Sequence, residues 1–124
     1  MINGWFLAGA ILSGFTWGIH TFLGGPPTVG PLLESSDIDP VAKYTNYYCW
    51  HIVTIVLLAM PTGFALAAFR AQSRELAILM TAMSAAFMLW SVVLILWKYR
   101  HPWKLPQWTL FLPITAVGIV GSLV

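Results

Sequence analysis

The stretch that decides the fold is residues 75–97, ELAILMTAMSAAFMLWSVVLILW, in which the only charged residue is the first and no glycine or proline occurs. As an α-helix it extends about 35 Å, at a rise of about 1.5 Å per residue, and so exceeds the ~30 Å hydrocarbon core of a bilayer. Because backbone polar groups inside lipid must be satisfied within the protein, this run predicts a membrane-spanning helix.

The rest of the chain has a similar composition. Hydrophobic residues make up 59% of its 124 residues and charged residues 8%, and the mean hydropathy is +0.80. Soluble domains are about 25% charged, so these few charges cannot solvate the surface of so small a globule. We therefore expect an all-α fold and a single transmembrane domain that covers residues 1–124.

Three further apolar segments accompany the central one. Gly24-Gly25-Pro26-Pro27 should end the first, because glycine and proline pairs rarely continue a helix. Asp39 is a good N-cap, and Pro40 suits the first helical position of the second. The predicted spans are about residues 5–23, 40–69, 75–97 and 106–124. The sequence therefore predicts an integral membrane antiparallel four-helix bundle.

The distribution of positive charge predicts an orientation. The first and third loops, with their flanking turns, hold four of the six cations, which are Lys43, Lys98, Arg100 and Lys104. The middle loop holds the other two, Arg70 and Arg74. The positive-inside rule then places the first and third loops in the cytoplasm. No basic stripe is present, so nucleic acid is not an expected partner.

A stripe of small residues lies on one face of the first segment, at Ala10, Gly14 and Gly18. Gly14 and Gly18 form a GxxxG motif, which allows two membrane helices to approach closely. The stripe either packs inside the bundle or joins the chain to a second copy or a larger membrane complex. Membrane lipid is the other expected partner.

Two histidines lie towards the same end of the predicted bundle, because the segments that carry them are joined by the first loop. His20 is near the end of the first span, and His51 follows Tyr47 and Tyr48 on the second. An ionisable residue within a membrane helix is a functional candidate. We predict that the two imidazoles lie on facing surfaces at similar depth, with Tyr47 or Tyr48 close by.

Three interpretations of this candidate cofactor-binding set remain open. A neutral histidine can bridge two helices through a carbonyl or hydroxyl group. The imidazoles can instead donate to a quinone carbonyl in a pocket lined by Tyr47 and Tyr48, or they can ligate haem iron or a smaller metal. No catalytic residue is assigned, because the single cysteine, Cys49, lies two positions from His51 and so points to a different helix face.

Small polar residues recur along the third segment, at Thr81, Ser84, Ser91 and Lys98. They indicate either a hydrated path or hydrogen bonds between helices. No acidic or basic residue lies in the middle of any predicted span. Ion-driven transporters usually need such a group, so transport of that kind is disfavoured.

Several short strings resemble, in order, those of a small bacterial family of four-helix membrane proteins to which no activity is assigned. They are His20 with Gly24-Gly25, Pro31-Leu32-Leu33, Tyr48-Cys49-Trp50-His51 with Thr54, and Leu105-Pro106-Gln107-Trp108. In size and layout the chain is also similar to DoxX-like proteins. The resemblance implies a four-helix fold in a bacterial inner membrane and implies no chemistry.

These observations predict a small, non-catalytic integral membrane protein. It is either an accessory subunit of a membrane complex or a module that binds lipid or quinone. The alternative is a redox or metal- or haem-binding membrane enzyme centred on His20 and His51.

Overall fold

The computed structural model describes residues 1–124 and is helical throughout, with no strand. Its α-helices are α1 (Gly4–Gly18), α2 (Gly25–Glu34), α3 (Pro40–Phe69), α4 (Arg74–Trp97) and α5 (Gln107–Leu123). A π-helical segment, Ile19–Gly24, joins α1 to α2, and a 3-10 turn, Ala71–Ser73, joins α3 to α4. The predicted all-α class is confirmed.

Three continuous helical stretches are long and apolar enough to cross a membrane, namely Gly4–Glu34, Pro40–Phe69 and Ala71–Trp97. Helix α5 is apolar but has 17 residues, or about 26 Å, which is less than the ~30 Å hydrocarbon core. It also begins at Gln107, one residue after the predicted start at Pro106. The structure therefore provides three helices of spanning length and one shorter apolar helix.

The first helix does not end at Gly24-Gly25-Pro26-Pro27, as the sequence predicted. The chain passes through the π segment and continues as α2 to Glu34. Pro26 and Pro27 occupy the first positions of α2, where the missing N–H of proline breaks no bond of that helical stretch. The first loop consequently shrinks to residues 35–39.

Helix α3 has the predicted bounds, and the predicted cap is present. The Asp39 carboxylate accepts hydrogen bonds from the N–H groups of Val41 and Ala42, at 3.0 and 3.2 Å. Lys43 Nζ reaches back across the short loop and donates to the Leu33 carbonyl at 3.2 Å. These contacts hold the end of α2 beside the start of α3.

The helices form a closed ring, in which α1 packs against α3 and α5, and α4 packs against α5 and α3. The largest fully buried side chains at the centre are Phe6, Met60, Phe64 and Ile114. At one end of the ring, Asn3 Nδ2 donates to the Gly121 carbonyl at 3.0 Å, and Arg74 donates to the Ser122 carbonyl. This end, which carries both chain termini, is the termini end below.

Buried residues are confined to one part of the molecule. All 21 of them lie within residues 6–16, 57–95 and 111–121. No residue between Thr16 and Leu57 is buried. We call residues 17–56 the hairpin and the remaining helical residues of α1, α3, α4 and α5 the body.

The close approaches between helices occur at glycines other than those of the GxxxG motif. A Cβ on Gly118 would lie 2.1 Å from Thr81 Oγ1, and one on Gly9 would lie 3.0 Å from the Phe64 ring. A Cβ on Gly14 would make only an ordinary contact with Pro61, and one on Gly18 would meet nothing within 4 Å. The motif is therefore not the site of tight packing within the chain.

One buried polar residue of α4, Ser84, hydrogen-bonds to another helix, whereas Thr81 Oγ1 donates to the Ala77 carbonyl of its own helix. Ser84 Oγ donates to the Phe111 carbonyl at 3.1 Å and accepts from Thr115 Oγ1 at 3.0 Å. Lys98 is exposed, with its Nζ 4.3 Å from the Trp97 ring centroid. The geometry favours interhelical bonding at this line over a hydrated path.

Candidate ligand groove at the histidine end

His20 lies in the π segment, which turns its ring towards α3. His20 Nε2 is 3.1 Å from Thr54 Oγ1. The imidazole stacks on the Trp50 indole, with ring centroids 4.0 Å apart and planes inclined by 19°. Both a ring nitrogen and a ring face of His20 are thus engaged by α3.

The hydroxyl of Thr54 assigns the tautomer of His20. Thr54 Oγ1 also lies 3.0 Å from the Trp50 carbonyl, to which it donates its single hydrogen. When Thr54 donates to this carbonyl it accepts from His20, and this arrangement carries the imidazole proton on Nε2. His20 is a bridge between the first helix and α3, as one interpretation expected, with Thr54 as the partner.

His51 and Tyr47 occupy a different position, on an open groove between α2 and α3. Their rings meet edge to face, with centroids 4.6 Å apart and planes at 80°. The groove has a volume of about 550 Å³. Its α3 wall consists of Tyr47, Trp50, His51 and Thr54, and its other wall of Thr21, Gly25, Pro26, Val29 and Gly30.

The glycines on the second wall keep the groove open. A Cβ on Gly25 or Gly30 would meet no atom within 4 Å, so the space beside both residues is open. Gly24 lies nearer, because its Cβ would be 3.6 Å from the Trp50 ring. Trp50 is therefore held between His20 on one side and the glycine turn on the other.

Tyr48 lies away from this groove. It borders a shallow depression with Pro40, Val41, Tyr44 and Thr45, and 66% of its surface is exposed. Successive helical residues are about 100° apart around the axis, so Tyr47 and Tyr48 cannot both face His51. Of the two predicted tyrosines, Tyr47 is the one that contacts it.

The two histidines lie at the same level of the molecule without sharing one cavity. His20 contacts Trp50 and Thr54, which line the groove beside His51. His20 itself is not among the lining residues. No three side chains of the histidine, cysteine, aspartate and glutamate types come together as a metal site, and Cys49 is exposed.

Buried polar atoms without a hydrogen-bond partner also gather at this end. They are Trp17 Nε1, Thr21 Oγ1, Ser91 Oγ and Trp108 Nε1. Ser84 bonds to Phe111 and Thr81 lies against Gly118, so residues later in α4 lie beside residues earlier in α5. Ten residues beyond the Thr81–Gly118 contact, the two helices reach Ser91 and Trp108.

Trp17 lies at a similar level along the bundle. Phe6 packs on Gly121 near the termini end, and Trp17 is eleven residues, or about three turns, further along α1. Thr21 is one turn further along and lines the groove. An unpaired buried polar group costs about 1–3 kcal/mol. All four buried side-chain polar atoms without a partner therefore lie towards the histidine end rather than the termini end.

The predicted site, which was His20, His51, Tyr47 and Tyr48, did not include several residues of the groove. Trp50 and Thr54 belong to the face that begins at Tyr47, with spacings of three and seven, and this spacing was a usable signal. The groove wall that includes Gly25 and Gly30 was not predicted, because the first helix was expected to end before these residues.

Comparison with models of protein families, with curated proteins and with solved structures gives no match to this chain. The resemblance to a bacterial four-helix family stays a prediction, and no activity, ligand or partner passes to the chain from a relative. What the groove can bind follows from the residues that line it.

Proposed function

We propose that the chain is a non-catalytic integral membrane protein of antiparallel helices that binds a lipophilic ring with a carbonyl acceptor, of the quinone class, in the groove beside His51. The observation that carries this proposal is the groove itself. It joins an aromatic wall, Tyr47 and Trp50, to a glycine wall at the end of the molecule where the polar side chains collect. On the resemblance, we place the protein in a bacterial inner membrane.

The size and lining of the groove suit such a ligand. Small-molecule sites usually enclose about 300–1,000 Å³ and combine apolar or aromatic walls with a few polar groups. A volume of about 550 Å³ falls in this range. The open side leaves a tail free to remain in lipid, as the ligands of membrane proteins require.

His51 is the residue best able to recognise a carbonyl. Its ring is exposed on the groove and contacts Tyr47 by an edge rather than by a hydrogen bond, so a ring N–H remains free to donate. His20 would act as a positioning residue, since it fixes the Trp50 ring by stacking. Thr21 lines the groove from the opposite wall.

The role of an accessory subunit draws support from the hairpin. Its 40 residues include no buried residue, so its surfaces are free to meet a larger membrane complex. The alternative, a redox or metal- or haem-binding enzyme centred on His20 and His51, has less support. His20 Nε2 is bonded to Thr54 and one ring face is covered by Trp50, which leaves only Nδ1 as a ligand.

Reporter fusions test the membrane topology. Fusions at Ser73 and at the C-terminus should report one side, and a fusion within residues 34–39 the other. The orientation inferred from the cations places residues 34–39 in the cytoplasm. If the C-terminus reports the same side as residues 34–39, α5 does not cross the bilayer and the four-span proposal is wrong.

Quenching of tryptophan fluorescence by a short-tailed ubiquinone analogue tests the ligand proposal. Gly30→Leu should fill the groove and weaken binding at least tenfold, and His51→Ala should weaken it about tenfold, the equivalent of one hydrogen bond. Gly18→Leu is the matched control, because its Cβ also meets nothing within 4 Å but lies outside the groove.

Unchanged binding in Gly30→Leu would overturn the ligand proposal. The absorption spectrum of the purified protein separates it from the alternative. A Soret band that disappears in both His20→Ala and His51→Ala would establish haem ligation and replace the quinone proposal.

A further inference from the structure

The loop at residues 98–106, between α4 and α5, carries positive charge that nothing in the chain neutralises. Lys98, Arg100 and Lys104 are all exposed, and no acidic residue follows Glu75 in the sequence. Two cations elsewhere are used inside the fold, Lys43 on the Leu33 carbonyl and Arg74 on the Ser122 carbonyl. The three loop cations have no such hydrogen bond and are available to an external anion.

Aromatic side chains fix the depth of this loop. Trp97 ends the apolar helix α4, and Trp103 in the loop is 76% exposed. Tryptophan and tyrosine favour the boundary between hydrocarbon and headgroups. Lys98 Nζ lies 4.3 Å from the Trp97 ring centroid, so the ammonium group lies directly beside an interfacial aromatic ring.

We infer that residues 98–106 form a binding site for the phosphate headgroup of anionic membrane lipids. Arg100 supplies a planar guanidinium that can bind phosphate through two hydrogen bonds, and Lys98 and Lys104 supply point charges. Trp97 and Trp103 lie along the acyl chains just below the headgroup. The site lies outside the groove beside His51, so the inference does not depend on the proposed quinone ligand.

The alternative partner for these cations is a carboxylate group of the chain itself. Glu34 is the last residue of α2, and Asp37 and Asp39 lie on the loop between α2 and α3. Asp39 is engaged as the cap of α3, and Asp37 accepts from Ser36 Oγ at 3.4 Å. Because two of the three carboxylates have partners of their own, we assign the loop cations to lipid phosphate.

The experiment measures how strongly lipids with brominated chains quench the tryptophan fluorescence of the full chain in mixed micelles. Brominated phosphatidylglycerol should compete for the protein better than brominated phosphatidylcholine. Each cation removed should reduce this preference by up to roughly fivefold. The triple variant Lys98→Gln, Arg100→Gln, Lys104→Gln should show nearly equal binding of the two lipids.

Arg70→Gln is the matched control, because it removes an exposed cation from the opposite end of α4. It should leave the preference unchanged. Trp103→Phe should reduce the quenching signal without altering the lipid preference. The preference should weaken with added salt, since exposed charges are screened over about 8 Å at 0.15 M.

Three results would overturn the inference. The first is equal binding of the two lipids by the wild-type chain, and the second is a preference that survives in the triple variant. The third is a preference that rises after neutralisation of Glu34, Asp37 and Asp39, which would show that the hairpin occupies the cations. Displacement of the lipid by inorganic phosphate at equal concentration would assign the loop to soluble anions instead.

Discussion

The body and the hairpin share the first continuous helix and α3, yet every buried residue is in the body and none is in the hairpin. Helix α3 passes through both, and its first buried residue is Leu57. Polarity explains part of the difference, because the hairpin part of α3 carries Lys43, Asn46 and His51, but Ile52 and Val53 are apolar and still exposed. The remaining difference has another source. It comes from whether small residues let neighbouring helices close on one another.

Close packing in the body depends on glycine and on hydrogen bonds between helices. Gly9, Gly63 and Gly118 receive Phe64, Met80 and Thr81 at distances that a Cβ would obstruct. Membrane helices gain little from the hydrophobic effect on association and depend on such contacts. In the hairpin, a Cβ on Gly18, Gly25 or Gly30 would meet no atom within 4 Å, so these glycines allow no close approach between helices. The hairpin, in which the helices do not pack closely, is therefore the part of the molecule that can accept a ligand.

The largest expected effect is at Gly118, in the body. In Gly118→Ala, the new Cβ would lie 2.1 Å from Thr81 Oγ1, so α4 and α5 must separate. Overpacking of this kind costs about 1–3 kcal/mol, which a denaturation series in detergent would measure. Because the clash is with one side chain, Thr81→Ala in the same chain should restore most of the loss.

A failure of Thr81→Ala to rescue Gly118→Ala would mean that backbone, rather than Thr81, fills this contact. Full stability of Gly118→Ala alone would mean that α4 and α5 do not close as described. Either result would remove the distinction between a tightly packed body and an open hairpin.

The second effect concerns the helix caps of the two regions. Asn3 Oδ1 accepts from the N–H groups of Trp5 and Phe6, and its Nδ2 donates to the Gly121 carbonyl. Asn3→Ala should destabilise the whole fold by about 1–2 kcal/mol. Asp39→Ala removes a cap at the tip of the hairpin, where we expect local fraying of α3 with a smaller change in global stability.

Hydrogen exchange distinguishes these two outcomes. Asn3→Ala should lower protection in α1, α3 and α5 together, whereas Asp39→Ala should lower it only in the first turns of α3. Equal global losses from both variants would show that the hairpin unfolds cooperatively with the body.

The sequence predicted the helical class, the bounds of α3 and the common level of the two histidines. These follow from strong local signals, such as the Asp39-Pro40 start and the short loop. It did not predict that Pro26 and Pro27 would begin α2 instead of ending the helix, because the intervening π segment has no distinctive composition. It singled out Gly14 and Gly18 as one possible packing face and left out Gly9, since the motif does not reveal which glycine faces Phe64.

The third expected effect comes from removing the hydrogen bond between His20 and Thr54 of α3. Thr54→Val keeps the shape of the side chain and removes the hydroxyl that accepts from His20. The expected loss is about 1 kcal/mol, accompanied by a change in tryptophan fluorescence as the stacking on Trp50 loosens. Thr62→Val is the control, because Thr62 Oγ1 bonds only to the Leu58 carbonyl of its own helix. A similar loss in both variants would show that His20 contributes nothing through this bond.

The smallest expected effect is a gain in stability rather than a loss, at Gly30 on the groove wall. A Cβ there would meet nothing within 4 Å, so Gly30→Ala adds no strain. Glycine inside a helix costs about 0.5–1 kcal/mol relative to alanine, and this variant should therefore stabilise α2 by a similar amount, measured as slower exchange of its amides. The gain depends on the space being open. If Gly30→Ala instead destabilised the chain as Gly118→Ala does, the second wall would be packed against another element, and the groove beside His51 would be closed to any ligand.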